Sequence, residues 1–176
     1  MSESAKRHKA EAPEKLRFGI FVCSTSRYQQ LKSGKQVKDV SGELIEKFLR
    51  SYGHTVVFKK IIPDDKRLIE ENARQALASP DLDAIVFCGG TGITTTDTTI
   101  EAIEPLLEKT LPGFGEIFRL LSFKEIGSAA VLSRALAGVA KGKAFFCIPG
   151  SPDAVRLCFE KLILPEAPHI VKHSRE

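Results

Sequence analysis

Residues 84–97 constrain the fold of this chain more than any other segment. They begin with Ala-Ile-Val-Phe-Cys, a continuous apolar run that is typical of a strand buried on both faces of a parallel sheet. The sequence Gly-Gly-Thr-Gly-Ile-Thr-Thr-Thr-Asp follows directly. Glycine lets backbone N–H groups approach an anion closely, and threonine hydroxyls add further donors. Because helical spacing resumes after Asp97, the segment predicts a strand, a phosphate-binding loop and a helix N-terminus.

The glycine loop has an alternative interpretation. Its spacing matches neither the G-x-G-x-x-G motif nor the G-x-x-x-x-G-K-[ST] motif. A tight strand-to-helix turn that needs glycine for its geometry would show the same residues. On spacing alone, both interpretations stay open.

Apolar runs with the character of buried strands recur along the chain, separated by segments with helical spacing. Strands alternating with helices predict an α/β fold with three layers, in which a mostly parallel β-sheet is covered by helices on both faces. The further predicted strands are residues 16–23, 55–62 and 144–148.

Polar residues follow each predicted strand, where an open α/β sheet binds its ligands. Asp64 follows the second strand and Asp97 follows the glycine loop, and each is interpreted as a helix cap or as a ligand of metal and substrate. Ser24-Thr25-Ser26-Arg27 is either an anion-binding turn or a surface loop. Arg134 lies in an apolar stretch, so it requires an ion-pair partner or a ligand. Ser151 is expected to cap the last helix.

Composition excludes several classes of protein. The chain has 176 residues, which predicts a leader at residues 1–15 and one domain at residues 16–176. The net charge is +4, but no basic stripe with interleaved aromatic residues is present, which argues against nucleic-acid binding. The four cysteines form no C-x-x-C pair and are expected to be buried and reduced. No apolar run is long enough to span a membrane, so a cytoplasmic protein is expected.

His169 and His173 lie four residues apart and are expected to share a helical face. The sequence supplies no carboxylate that clearly completes a metal site with them. The pair therefore argues against a metal site.

Several short motifs, taken together and in order, resemble a known family. They are Gly89-Gly90-Thr91-Gly92 with Asp97 and Glu101-Ala102, Pro112-Gly113-Phe114, Phe118-Arg119 with Leu121-Ser122-Phe123, Leu132-Ser133-Arg134 with Ala137-Gly138, and Pro149-Gly150-Ser151-Pro152. Across residues 16–172 they resemble the molybdenum cofactor biosynthesis family of MogA, MoaB and the gephyrin G domains. Residues 118–127 are most similar to the MoaB branch.

The resemblance implies a molybdopterin-binding enzyme. Its active members use Mg²⁺ and ATP to transfer AMP to the terminal phosphate of molybdopterin, with release of pyrophosphate, before molybdate or tungstate is inserted. It implies catalytic and Mg²⁺-binding roles, through phosphates, for Asp64 and Asp97. The implied substrate-binding residues are Ser24, Thr25, Gly89, Gly90, Thr91, Gly92, Glu101, Ser122, Ser133, Arg134, Pro149, Gly150 and Ser151.

The chain departs from the family pattern beside the loop aspartate. Thr96 stands where many members have arginine, and Thr99-Ile100 stands where proline is common. A non-catalytic molybdopterin carrier or scaffold is therefore the alternative function, and a domain for an unrelated nucleotide is a third. The resemblance also implies a homo-oligomer, a trimer or a hexamer, with Phe114, Phe118 and Phe123 either at the interface or in the core.

Overall fold

The computed structural model describes residues 13–176, which form a six-stranded sheet with helices on both faces. The predicted three-layer, mostly parallel α/β architecture is confirmed. Along the sheet the strands are ordered β2-β1-β3-β6-β5-β4. In chain order the strands are β1 (Arg17–Cys23), β2 (Thr55–Ile62), β3 (Ala84–Cys88), β4 (Lys109–Thr110), β5 (Leu136–Ala140) and β6 (Lys143–Ile148).

The helices connect these strands. The long C-terminal helical segment is interrupted by one π-helical turn, Phe159–Ile163. Two 3-10 segments, Glu104–Leu106 and Gly127–Leu132, follow α4 and α5. The α-helices are α1 (Thr25–Lys32), α2 (Val40–Ser51), α3 (Lys66–Ala78), α4 (Thr99–Ile103), α5 (Pro112–Ile126), α6 (Pro152–Cys158) and α7 (Leu164–His173).

Four parallel strands, β2, β1, β3 and β6, form the centre of the sheet. They are the four strands predicted from the sequence. The chain moves from β1 outward to β2 and then crosses back to β3 on the other side of β1, so the direction of winding reverses between β1 and β3. This is the place where open α/β sheets bind ligands, beyond the carboxyl ends of the strands.

Two apolar layers lie on opposite faces of the sheet, because alternate residues of each strand point to opposite sides. Phe18, Ile20 and Val22 of β1 pack on one face, against α2, α5 and the C-terminal helices. Phe21 and Cys23 pack on the other face, against α3 and α4. All four cysteines are unpaired and buried, as predicted.

Sequence patterns missed the antiparallel edge of the sheet. β5 pairs antiparallel with β6, and the two-residue β4 pairs antiparallel with β5. β5 has the sequence Leu-Ala-Gly-Val-Ala, whose small side chains give little strand signal. The turn at residues 24–27 is in fact the start of α1, with Ser24 accepting a hydrogen bond from the Arg27 amide as N-cap.

The three phenylalanines considered for an interface divide between core and surface. Phe114 and Phe118 are buried in the core, whereas Phe123 is 57% exposed. Residues 1–12 of the predicted leader lie outside the described residues. Within residues 13–176, no helix combines the length and the apolar character needed to cross a bilayer.

Asp83 anchors the edge of the sheet opposite the strand carboxyl ends. Its carboxylate accepts hydrogen bonds from the Arg17 amide at 2.8 Å, from the Arg17 guanidinium at 3.1 and 3.2 Å, and from Arg175 Nη2 at 2.7 Å. Burial alone would raise the pKa of Asp83, but these hydrogen bonds outweigh it and hold the pKa at about 2. The carboxylate therefore joins the first strand to the end of the chain.

We expect Asp83→Asn to lower the free energy of unfolding at pH 7 by about 1–3 kcal/mol, because charge-assisted hydrogen bonds are lost. The pKa is lower in the folded state, about 2, than the ordinary 3.8, so the stabilisation is complete above pH 4 and disappears as the pH falls toward 2. Urea unfolding of both proteins between pH 7 and pH 2 should show the difference shrinking with acid.

Asp81→Asn is the matched control, since Asp81 is 73% exposed and lies 3.7 Å from Arg17. We expect it to change the free energy of unfolding by less than about 0.5 kcal/mol. Equal losses for the two variants would show that Asp83 does not anchor this edge.

Candidate functional site

The glycine loop begins where three strands end side by side. Gly89 has a φ of +104° and Gly90 a φ of +62°, a region that residues with a Cβ rarely adopt. A Cβ on Gly89 would also clash with the carbonyl oxygen of Cys23, at the end of β1. On the β6 side, a Cβ on Gly150 would lie 3.3 Å from the Cα of Gly89. Close packing of three strand ends therefore requires these glycines.

Thr99, at the start of α4, fixes the path of the loop. Its hydroxyl donates to Gly89 O at 2.9 Å, and its amide donates to Gly90 O at 2.9 Å. The Gly89 amide donates to Ile148 O at the end of β6, also at 2.9 Å. The loop is thus bonded to both the following helix and the neighbouring strand.

Asp64 lies beside Gly90 and is bound to the start of α1. Its Oδ2 accepts from the amide of Thr25 at 2.8 Å and from the Thr25 hydroxyl at 3.0 Å. Its Oδ1 is directed to the loop, because a Cβ on Gly90 would lie 3.0 Å from this oxygen. The helix-cap interpretation of Asp64 was wrong: Asp65 caps α3 by accepting from the Leu68 amide.

Asp97 is held at the far end of the same loop. Its Oδ2 accepts from the Thr94 amide at 2.9 Å and from the Thr94 hydroxyl at 2.6 Å. Burial raises the pKa of Asp97, whereas the hydrogen bonds from Thr94, the hydrogen bond from the Gly92 amide and the charge of Arg134 lower it. The lowering effects outweigh burial, so the pKa of Asp97 lies below its ordinary value. Asp97 does not cap α4 either, since Thr98 occupies that position.

Arg134 braces the glycine loop from the outside. Its Nε donates to the carbonyl oxygens of Thr91 and Gly92, each at 3.0 Å, and its Nη1 donates to Glu101 at 2.6 Å. The hydrogen bond from Arg134 also lowers the pKa of Glu101. Arg134 therefore has the ion-pair partner that its sequence context required, and it ties the loop to α4.

Two adjoining cavities open beside the loop and share the side walls formed by Ser133 and Pro149. Leu132, which lines the larger one, is 58% exposed. The larger cavity, of ≈ 250 Å³, is lined by Gly89, Gly90, Thr91, Gly92, Asp97, Leu132, Ser133, Arg134, Pro149 and Gly150. The smaller cavity, of ≈ 150 Å³, is lined by Phe118, Ser122, Glu125, Ile126, Ser133, Pro149, Ser151, Asp153, Ala154 and Leu157.

Most of the predicted site residues therefore meet at one edge of the sheet. Fourteen of the fifteen lie in the loop, along the two cavities or in the Thr25–Asp64 and Arg134–Glu101 pairs. Ser24 precedes them as the N-cap of α1, and Ser151, as predicted, caps α6 by accepting from the Ala154 amide.

Sequence reasoning missed two supporting residues. Ser41 donates to Gly150 O at 2.7 Å and so fixes the loop after β6. Asp153, in the first turn of α6, lines the smaller cavity. The hydrogen bond between Ser41 and Gly150 leaves no sequence signal, because the two residues are 109 apart in the chain.

Cysteine thiols are poorly suited to act as nucleophiles here. Burial raises the pKa of Cys23 to about 12 and also raises the pKa of Cys88 well above neutrality. A thiol needs to ionise before it attacks, so both remain protonated near neutral pH. The groups that face the cavities are instead carboxylates, hydroxyls and backbone amides.

Comparisons with known proteins agree with this arrangement. The family model described as a probable molybdopterin binding domain matches residues 19–169. Molybdenum cofactor biosynthesis protein B of Halalkalibacterium halodurans is 45% identical over 170 residues, covering 96% of each chain. Molybdopterin adenylyltransferase of Pyrococcus furiosus is 42% identical over 174 residues, covering 96% of this chain and 97% of the relative.

Solved structures show the same similarity. A crystal structure of molybdenum cofactor biosynthesis protein B is 42% identical, with a TM-score of 0.85, and covers 94% of this chain and 99% of the other. The tungsten cofactor synthesizing protein MoaB of Pyrococcus furiosus is 40% identical, with a TM-score of 0.81, over 94% of this chain and all of the other. The chain therefore belongs to the molybdopterin-binding family of molybdenum cofactor biosynthesis proteins.

Proposed function

We propose that the protein is a molybdopterin adenylyltransferase, which transfers AMP from ATP to the terminal phosphate of molybdopterin and releases pyrophosphate. The observation that carries the proposal is the pair of carboxylates, Asp64 and Asp97, at the two ends of a glycine loop. Two relatives that are 43% and 42% identical bear the name of this activity. Molybdenum and tungsten pathways are both compatible with these names and with the tungsten-associated structure.

The backbone amides of the loop suit the phosphates of ATP. The amides of Gly89 and Gly92 are directed to Ile148 O and to Asp97, so we assign phosphate binding to the amides of Gly90 and Thr91. Backbone amides in such a concave loop bind anions without the desolvation cost of a buried cation. The smaller cavity, with the hydroxyls of Ser122, Ser133 and Ser151, is assigned to molybdopterin.

The donor set beside the loop fits Mg²⁺. Among the residues that the structure describes, no group of three or more His, Cys, Asp or Glu side chains converges on one point. Mg²⁺ commonly uses one or two carboxylates, with the remaining positions taken by water and substrate phosphates. Asp64 Oδ1 and Asp97 would hold it. Because Gly90 and Gly92 have no Cβ, there is space for both carboxylates beside the loop. When bound, Mg²⁺ neutralises charge on the phosphates.

The reaction needs no nucleophile from the protein, because the substrate phosphate attacks the α-phosphorus of ATP. The barrier is largely the repulsion between two anions, together with charge that builds on the leaving pyrophosphate. Hydrogen bonds from Thr25 and Thr94 hold the two carboxylates in place before the substrates arrive. The role of the chain is thus to orient both anions and to offset their charge.

A molybdopterin carrier without catalytic activity is the second candidate. It is favoured by Thr96, which stands where an arginine is frequent in the family, and by the ion pair that already engages Arg134 with Glu101. A carrier would bind molybdopterin without consuming ATP. The same assay therefore distinguishes the two functions.

We expect Asp64→Asn and Asp97→Asn each to lower AMP transfer at least roughly 100-fold, because each removes a carboxylate that would hold the Mg²⁺ that offsets the phosphate charge. The measurement follows AMP–molybdopterin and pyrophosphate together, with Mg²⁺, ATP and freshly prepared molybdopterin. Asp81→Asn, the same change at the opposite edge of the sheet, should retain full activity. Saturable molybdopterin binding without product in the unmodified protein would establish the carrier instead.

Gly92→Ala tests whether the position of Asp97 matters apart from its charge. The added Cβ would lie 2.7 Å from Asp97 Oδ2, so the carboxylate has to move. We expect AMP transfer to fall at least roughly 10-fold, while the free energy of unfolding changes by less than about 1 kcal/mol. The control is Gly113→Ala, whose Cβ would meet no atom within 4 Å. Equal activity of the two variants would contradict a placement role for Gly92.

An exposed apolar face on α5 and the following 3-10 segment supports self-association. Its side chains are spaced three residues apart along α5 and are about half exposed or more. Exposed apolar side chains that are grouped on one element commonly mark a protein interface. We propose that this face joins copies of the chain into a trimer or a hexamer. The face comprises Ile117, Leu120, Phe123, Ile126, Val131 and Leu132.

We expect Phe123→Glu to dissociate the assembly, because a charge would be buried in an apolar interface. Sedimentation should show three or six copies of the 19.3-kDa chain before the change and smaller species after it. Leu31→Glu is the control, since Leu31 is 51% exposed on α1 and lies outside the face. A single-copy mass for the unmodified protein would remove the proposed oligomer.

A further inference from the structure

Arg27 is a cation beside the candidate site that the proposed reaction leaves unused. It lies in the first turn of α1, where its amide donates to Ser24 Oγ at 3.5 Å. Within residues 13–176, its guanidinium donates no hydrogen bond, and its one ion pair is to Asp39, with Nη1 3.8 Å from Oδ1. The side chain is only 31% exposed. Five N–H donors without a partner, on a side chain that is largely withdrawn from water, indicate a place for a ligand.

The position of Arg27 brings its charge to the end of β3. Thr25, two residues earlier, is bound to Asp64 through the amide of Thr25 at 2.8 Å. The pKa of Cys88, the last residue of β3, is raised mainly by burial; the charge of Asp39 raises it further, and the charge of Arg27 lowers it. Both charged groups therefore act on the residue that directly precedes the glycine loop.

Asp39 is a buried carboxylate that holds the guanidinium at this place. It is 3% exposed, and its Oδ1 accepts from the Gly42 amide at 3.1 Å as the N-cap of α2. A Cβ on Gly42 would overlap Asp39 Oδ2, so the glycine leaves the space that the carboxylate occupies. Ser41, in the same turn, donates to Gly150 O at 2.7 Å. The carboxylate that pairs with Arg27 is thus fixed relative to the candidate site.

Lys59 shares the charge of Asp39, which allows Arg27 to turn toward a ligand. Lys59 Nζ lies 3.9 Å from Asp39 Oδ2 and 2.6 Å from Glu46 Oε2. Asp39 Oδ2 is buried without a hydrogen-bond partner among the described residues, so neither cation is bound closely to it. A buried carboxylate that loses every nearby cation is costly. Because Lys59 stays in place, a movement of Arg27 leaves no isolated buried charge.

The surroundings of Arg27 favour an anion as the ligand. No acidic residue occurs at positions 18–38, whereas α1 and the loop that follows it also carry Lys32, Lys35 and Lys38. No residue of α1 is buried, so this positive charge is presented at the surface. Charge of one sign around a site raises the local concentration of ligands of the opposite sign.

We propose that Arg27 binds a phosphate group of a substrate at the Asp64 end of the glycine loop. A planar guanidinium donates to two phosphate oxygens at once. Thr96 stands beside Asp97 where many members of the family have arginine, so Arg27 supplies from another element a guanidinium that the loop itself lacks. The proposal rests on the proposed function for the two sources of the phosphate, which are ATP and molybdopterin.

Binding measured apart from turnover tests the role of Arg27. Full-length protein is equilibrated either with Mg²⁺ and ATP or with molybdopterin alone, and the bound ligand is measured by equilibrium dialysis. We expect Arg27→Gln to weaken the binding of one of the two ligands at least roughly 10-fold, because charge-assisted hydrogen bonds are lost. Arg27→Lys should give an intermediate affinity, since lysine keeps the charge without the fork. Arg74→Gln is the matched control, because Arg74 is 62% exposed and pairs with Glu70 on α3.

The two ligands distinguish the source of the phosphate. Weaker ATP binding assigns Arg27 to the phosphates of ATP, and weaker molybdopterin binding assigns it to the terminal phosphate of molybdopterin. The melting temperature of Arg27→Gln without ligand should stay within about 2 °C of the unmodified protein.

Unchanged affinity for both ligands would overturn the proposal. Equal losses for both ligands together with a lower melting temperature would also overturn it, because they would show that Arg27 serves only to pair with Asp39. The absence of AMP transfer in a protein that binds molybdopterin through Arg27 would overturn the adenylyltransferase alone.

Discussion

The contact between Gly89 and the Cys23 carbonyl is the constraint on which the rest of the site depends. No side chain fits there, and the positive φ of Gly89 excludes most other residues independently. The contact brings the ends of β1 and β3 together at the point where the winding of the sheet reverses. Asp64 from the β2 side and Gly150 from the β6 side can then reach the same loop. One missing Cβ thus determines how four strand ends converge.

The central strands could be predicted because burial on both faces leaves a clear pattern. Residues 84–88 are apolar at every position and are wholly buried, as the pattern requires. The edge of the sheet could not be predicted. β4 has only two residues, both exposed, and β5 is made largely of alanine and glycine, so its conformation follows from pairing with β6 rather than from propensity.

The site was predicted in its residue types and only partly in its contacts. Parallel strands have to align their carboxyl ends, so polar residues that follow such strands lie near one another. Asp64 and Asp97 were predicted in this way to lie near the loop, and they do. Asp65, rather than Asp64, caps α3, and Thr98 occupies the N-cap position of α4 without a side-chain hydrogen bond. The bonds of Asp64 to Thr25 and of Arg134 to Thr91 join residues 39 and 43 apart in the chain. Only the folded chain specifies such pairs.

Leu132 belongs to two surfaces at once. It lines the cavity beside the glycine loop, and it is one of the exposed apolar residues, with Phe123, of the proposed interface. A molecule packed on that face would therefore also contact a residue that lines the cavity. Arg134, two residues further along the chain, binds the same segment to the glycine loop. In the proposed assembly a neighbouring copy would cover Leu132, whereas an isolated copy leaves it exposed. Under that proposal, ligand binding at the glycine loop would depend on protein concentration.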